Sequence, residues 1–167
     1  MKLRLFRKLH DTAGQSLVEF ALVLPLLVAL VLGVYEYSRA IQANNIIINM
    51  SREGANLVSR TTSIDHQDIM NSLATTAQWL TMVPDGMMYI TPVKGTAGGP
   101  QFQQPEYWEK NPSGPASKID QSKPVADYLG DITVPSNEYA YIFEVDYTYR
   151  FKFLPIPPVQ LHSTIIF

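Results

Sequence analysis

One carboxylate in this sequence is set apart by its surroundings. Glu19 follows two apolar residues and precedes an uncharged run, FALVLPLLVALVLGVY, from Phe20 to Tyr35. An ionised side chain at mid-bilayer costs roughly 2.5 to 3.5 kcal/mol on insertion scales, and less near the headgroups, so such a residue calls for a partner or a route to water. Gly14 lies five residues ahead of it. A glutamate that merely snorkels to the cytoplasmic headgroups accounts for the same residue without any function.

Elsewhere the sequence offers little chemistry. His10, His66 and His162 are scattered, and there is no HExxH pair, phosphate loop, dinucleotide fingerprint or nucleophile elbow. Without cysteine there is no disulfide framework, thiolate zinc site or cysteine nucleophile. Asp65 and Asp68 read as residues that stabilise a helix N-terminus rather than as metal ligands. Glu144 and Asp146 alternate with aromatics, as the solvated face of a strand would. The expectation is a protein that is not an enzyme, with no metal site, no cofactor and no small-molecule substrate. A formal charge of -2 lacks the basic excess that would neutralise a nucleic-acid backbone, so no nucleic-acid partner is expected either.

The elements that must position Glu19 come next. Lys2, Arg4, Arg7 and Lys8 make residues 1–14 a basic leader, whose removal would take Lys+Arg from 13 to 9 and Asp+Glu from 15 to 14. From Leu17 to Tyr35 the chain can rise about 28 Å as a helix, close to the hydrocarbon thickness of a bilayer. The basic residues before this run, against Glu36 and Arg39 after it, predict a cytoplasmic N-terminus and an exported C-terminal part. A cleavable secretory signal is disfavoured by the length of the run and by the lack of a small-x-small cleavage site after it. Pro25 has no N–H for the carbonyl of Ala21, so a bend is expected there.

Beyond the membrane segment, Ala40, Ala43, Ile47, Met50, Gly54 and Leu57 fall on one stripe, which predicts a single helix from about Ser16 to Arg60. A second helix is expected from Ser63 or Asp65, with Ile69, Met70, Leu73, Ala74, Ala77 and Leu80 as its apolar face and Pro84-Asp85-Gly86 as its end. Strands are expected at Met88 to Val93, with Pro92 marking an edge or a strand end, at Ile132 to Val134, and in an alternating run from Tyr139 to Phe153 that must bend or stop early. The LPIPP turn at Leu154 to Pro158 should return the chain into a closing strand, Leu161 to Phe167. Residues 94–131, rich in Gly, Pro, Gln and Ser, read as a disordered or exposed recognition loop anchored by Tyr107-Trp108. The fold class is thus α+β: a long membrane-spanning helix continuing into a small head with a second helix and an antiparallel sheet. Its parts are a leader at 1–14, a transmembrane helix at 15–36, its extension at 37–62 and an extracytoplasmic head at 63–167.

The strings G-QSLVEF at the leader boundary, then VEFALVLPLL, YEYSRA and SREGAN in that order, resemble the N-terminal pattern of TadE-like proteins, over roughly residues 14–58. These are minor pilins, or pseudopilins, of the tight-adherence type IV pilus. Gln15 stands where many other type IV pilins open with phenylalanine, which argues against the type II secretion pseudopilins and the ordinary type IVa class. The resemblance implies a type IV pilin-like fold and a prepilin peptidase that cuts between Gly14 and Gln15. It also implies Glu19 as an assembly register: the cut would free the α-amine of Gln15 four residues away, about 6 Å along a helix axis, and pairing Glu19 of one copy with the Gln15 amine of a neighbour would offset the desolvation of both charges and set their axial stagger. The segment Arg52, Glu53, Gly54 is a family-like feature that could pack against another subunit, although a glycine facing its own head explains Gly54 equally well. Implied partners are the prepilin peptidase, the pilus assembly platform and ATPase, other pilins including a sibling pseudopilin, and membrane lipid. The implied place is the bacterial inner membrane or the pilus itself, and the implied role is pilus assembly in surface adhesion. Two other readings stay open: a filament-forming pilin in its own right, and an unprocessed, membrane-anchored periplasmic binding module.

Overall fold

Between the leader and Arg60 few residues resist a helix, and the chain forms one. The computed structural model describes residues 14–61 and 65–167, with the helical backbone traced from Leu3. Helix α1 (Leu3–Arg60) begins well before the expected start at Ser16, and Pro25 lies inside it without ending it. The early start has a simple cause: Leu, Arg and Lys are good helix formers, and a single glycine costs only about 1 kcal/mol. Ser63, the alternative cap for the second helix, lies outside the described residues, as do the side chains of the basic leader and His10.

The chain divides into two units, Met1–Arg39 with Phe151–Ile156, and Ala40–Arg150 with Pro157–Phe167. In the first, the apolar side chains from Leu17 to Val34 are largely exposed. The stretch Gly14–Arg60 is long and apolar enough to cross a membrane, and none of its apolar window is buried within the protein. At the end of that window Glu36 is fully buried. Its Oε1 accepts hydrogen bonds from the backbone N–H groups of Lys152 (3.1 Å) and Phe153 (3.0 Å). On either side of it Tyr35 meets Phe153 and Tyr37 meets Phe151, with ring centroids 6.2 and 6.0 Å apart.

The second unit is built on a five-stranded antiparallel sheet. Helix α2 (His66–Thr76) and a short turn of helix, α3 (Met82–Asp85), lead into β1 (Gly86–Thr96). Strands β2 (Gly99–Phe102) and β3 (Glu106–Tyr107) follow, then α4 (Ala126–Leu129), β4 (Tyr139–Tyr149) and β5 (Val159–Ile166). The order is β2-β1-β4-β5, with β3 pairing to β1 beside β2. Asp65 caps α2 by accepting from the Gln67 N–H at 3.0 Å. The helix stops at Thr76 rather than running to Pro84: the Thr75 and Thr76 hydroxyls donate back to the Ser72 and Leu73 carbonyls, and the Ala77 N–H caps Leu73. Ala77 and Leu80 are buried all the same, carried into the core by the turn that follows.

Pro92 corrects the edge-strand expectation, since β1 is flanked on both sides. Its register opposite β2 begins at Val93↔Phe102 and opposite β3 ends at Ile90↔Glu106. The Pro92 carbonyl accepts from Gln103 on that side, and a strand residue directs its N–H and C=O to the same neighbour. The donor that proline lacks therefore falls where β2 gives way to β3, in keeping with the confinement of proline to breaks in a ladder.

Two layers cover the sheet. On one face lie Met88, Ile90, Phe143, Val145 and Ser163, together with the α1 residues Ala43, Ile47, Met50, Ser51, Ala55 and Val58 and the α2 residues Ile69, Met70 and Leu73, all of them buried. The expected α1 stripe is right except at Leu57, which is exposed because the buried line runs through Ser51, Gly54, Ala55 and Val58 instead. Ser51 Oγ and Ser163 Oγ share a 2.6 Å hydrogen bond across this layer. On the other face lies segment 111–131, which is neither an open loop nor featureless. Val125 and Leu129 cluster with Val93, Ala140 and Ile142, and Ile119, Tyr128 and Val134 pack around them. The Tyr89 hydroxyl donates to the Pro115 carbonyl at 2.9 Å. Trp108 is the anchor expected of the aromatic pair, buried with its indole N–H on Asn71 Oδ1 at 2.9 Å, while Tyr107 is exposed. Residues 132–134 form no strand; β4 already has β1 and β5 on its two sides.

Candidate functional site

The residues expected to matter for processing and assembly lie together at the start of the apolar helix. Gly14 is exposed, with open space where a Cβ would stand. One turn on, the Gln15 side-chain amide donates to Glu19 Oε1 at 3.1 Å, on an exposed surface. Glu19 is flanked by Leu17, Val18, Phe20, Leu22 and Val23, all substantially exposed. This surface therefore offers a carboxylate, bonded to the Gln15 amide, in an apolar field that something else must cover.

Arg52, Glu53 and Gly54 separate. Arg52 and Glu53 face solvent, whereas Gly54 is buried against the Phe143 ring. A Cβ built on Gly54 would come within 2.5 Å of that ring, so the glycine is occupied by its own head. Its tolerance inside a helix has this physical reason: only a residue without a side chain lets the fully buried Phe143 reach the helix backbone. Gly54→Ala is expected to destabilise the full-length protein in urea by about 1 to 2 kcal/mol, since overpacking outweighs the gain of about 1 kcal/mol in helix propensity. In a Phe143→Leu background the sign should reverse. Equal effects in both backgrounds would show that the ring does not set the requirement.

Two polar features escaped the sequence reading. Glu36 counted there only as a charge flanking the membrane run, but it captures two backbone donors on residues 152 and 153. The other is on β4. Glu144 and Asp146, expected on a solvated face, are both fully buried. They lie under segment 111–131: Glu144 accepts from the Ser117 hydroxyl (2.6 Å) and the Lys118 N–H (3.1 Å). Asp146 Oδ1 lies 2.9 Å from His162 Nδ1, its cross-strand partner on β5, and 3.5 Å from Lys118 Nζ. His162 Nε2 is 2.7 Å from the Thr164 hydroxyl. Burial pushes the Glu144 carboxyl above its ordinary range, the two donors from Ser117 and Lys118 oppose the rise, and the charge of Asp146 adds to it. Alternation of polar and aromatic residues was the only sequence signal here, and it does not say whether a second layer covers the polar side.

The described residues thus combine a helix long and apolar enough to cross a membrane with a small α+β unit built on an antiparallel sheet. Residues 14–56 match the family described as TadE-like protein. The match lies wholly within α1. No curated protein and no solved structure matches the chain.

Proposed function

We propose that this protein is a minor pilin, or pseudopilin, of a tight-adherence type IV pilus, released from its leader by a prepilin peptidase between Gly14 and Gln15 and then drawn from the inner membrane into the pilus or its assembly base. The observation that carries this reading is the family match over residues 14–56, because it spans both Gly14 and Glu19. The exposed apolar surface around Glu19 supports it, since a helix bare over that length is suited to lipid first and to other pilin helices afterwards. In this reading the N-terminus lies in the cytoplasm and the head outside it. The platform proteins and ATPase act on the membrane-held form, and a sibling pseudopilin is a neighbour in assembly. Arg52 and Glu53, exposed on α1, are available to such a neighbour.

Cutting after Gly14 requires an extended backbone, yet this residue lies within helix α1. Glycine makes local unwinding easier by about 1 kcal/mol relative to alanine. N-terminal sequencing of the protein from native membranes, with and without the peptidase, tests the proposal. The expected result is a chain that begins at Gln15 when the peptidase is present and retains the leader when it is absent. An intact leader in cells that make normal pili would overturn it.

A further inference from the structure

The buried cluster on the covered face of the sheet is not used by an assembly role that resides in α1. Glu144 and Asp146 on β4 and His162 on β5 each offer a ligand atom, and these atoms lie within 4.8 Å of one another. We propose that Glu144, Asp146 and His162 form a binding site for a divalent transition-metal ion of the zinc kind, held between the sheet and segment 111–131.

Three independent features support this assignment. The first is an orphaned atom: Asp146 is fully buried, and its Oδ2 has no hydrogen-bond partner among the described residues. A buried carboxylate oxygen without a donor loses its hydration with nothing in return, and a bound cation supplies what is missing. The second is the outer shell. Ser117 Oγ and the Lys118 N–H hold the two oxygens of Glu144, and Thr164 holds His162 Nε2, which leaves Nδ1 facing Asp146. When Nε2 donates to the Thr164 hydroxyl, Nδ1 presents a lone pair to an ionised carboxylate, and a cation bound to both removes the repulsion. Hydrogen-bonded second partners of this kind orient metal ligands in known sites.

The third is charge. Among the described residues the two buried carboxylates face, beside His162, one lysine, Lys118, whose Nζ is 3.5 Å from Asp146 Oδ1 and whose side chain is 46% exposed. It can swing into solvent, so a doubly charged ion can take its place and balance both acids. The donor set of one imidazole and two carboxylates suits zinc, with a fourth position left for water; an all-oxygen set would have favoured calcium or magnesium. The ion would join β4 to β5, while the covering segment reaches it through the bonds of Ser117 and Lys118 to Glu144.

Titrating zinc into the detergent-solubilised full-length protein, with calorimetry and with nitrogen-detected histidine NMR, tests the assignment. The expected result is saturable binding of one ion per chain, with the His162 ring signals moving while those of His66 stay in place. Asp146→Asn should weaken binding by more than roughly 100-fold, beyond the loss caused by an outer-shell change, and Thr164→Val by about 10-fold. His66→Ala should bind as the parent does. Because a buried substitution can prevent folding, the parent protein carries the decision: unsaturable zinc removed by dialysis, or equal shifts at His66 and His162, would mean an adventitious ion only and would overturn the proposal. Full affinity in a folded Asp146→Asn protein would do the same.

Discussion

Glu19→Leu is expected to leave the protein inserted in the membrane and cut after Gly14, while its recovery in sheared pili falls by on the order of 100-fold. The magnitude follows from the roughly 2.5 to 3.5 kcal/mol that an unpaired charge costs within a bilayer, which a correctly staggered amine would offset and an incorrectly staggered one would not. Leucine removes the cost, so insertion should not suffer, but it also removes the preference for one stagger over another. Glu19→Gln keeps an oxygen that can accept from the Gln15 amide, now 3.1 Å away, but carries no charge. It should therefore resemble leucine in assembly if charge pairing sets the stagger. Immunoblots of membrane and pilus fractions, normalised to another pilin, make the measurement. Normal recovery of Glu19→Leu would reduce Glu19 to a glutamate reaching for the headgroups.

The second large effect is expected at the far end of the apolar run. Glu36→Ala should raise the hydrogen exchange of the Lys152 and Phe153 amides by on the order of 100-fold, because each amide loses a hydrogen bond to a carboxylate oxygen, a contribution of about 1.5 to 3 kcal/mol. The donors at residues 152 and 153 would be left without Glu36 Oε1, which now takes both. The aromatic contacts Tyr35–Phe153 and Tyr37–Phe151 remain in the variant and limit the damage to local opening. Glu36→Gln retains a carbonyl oxygen and should give a smaller rise. Mass-spectrometric exchange on the full-length protein in detergent resolves the difference, and unchanged exchange at 152 and 153 in Glu36→Ala would remove Glu36 as the clasp on this segment.

The parts of the protein that were legible in advance share one property: their signal lies in neighbouring residues. The apolar run after Glu19, the cap at Asp65, the alternation from Tyr139 and the return into β5 each obey a local period or a local hydrogen bond. Local rules also explain the errors. Periodicity carried the second helix on to Pro84, because Ala77 and Leu80 fit a helical face whether a helix or a turn brings them inward. Pro92 by itself points to an edge or a strand end, because one residue cannot reveal that its outer neighbour changes from β2 to β3 beside it.

What the sequence by itself determined was a membrane-length helix, the carboxylate at its mouth, the glycine before it and an α+β head after it, since composition and short spacings dictate these. The tertiary structure alone decided that Glu144, Asp146 and His162 meet, and that segment 111–131 covers the two carboxylates. It alone decided, too, that Glu36 holds a stretch more than a hundred residues away. Burial depends on which distant segment folds over a face, and an alternating strand has the same pattern whether its polar side meets water or a second layer.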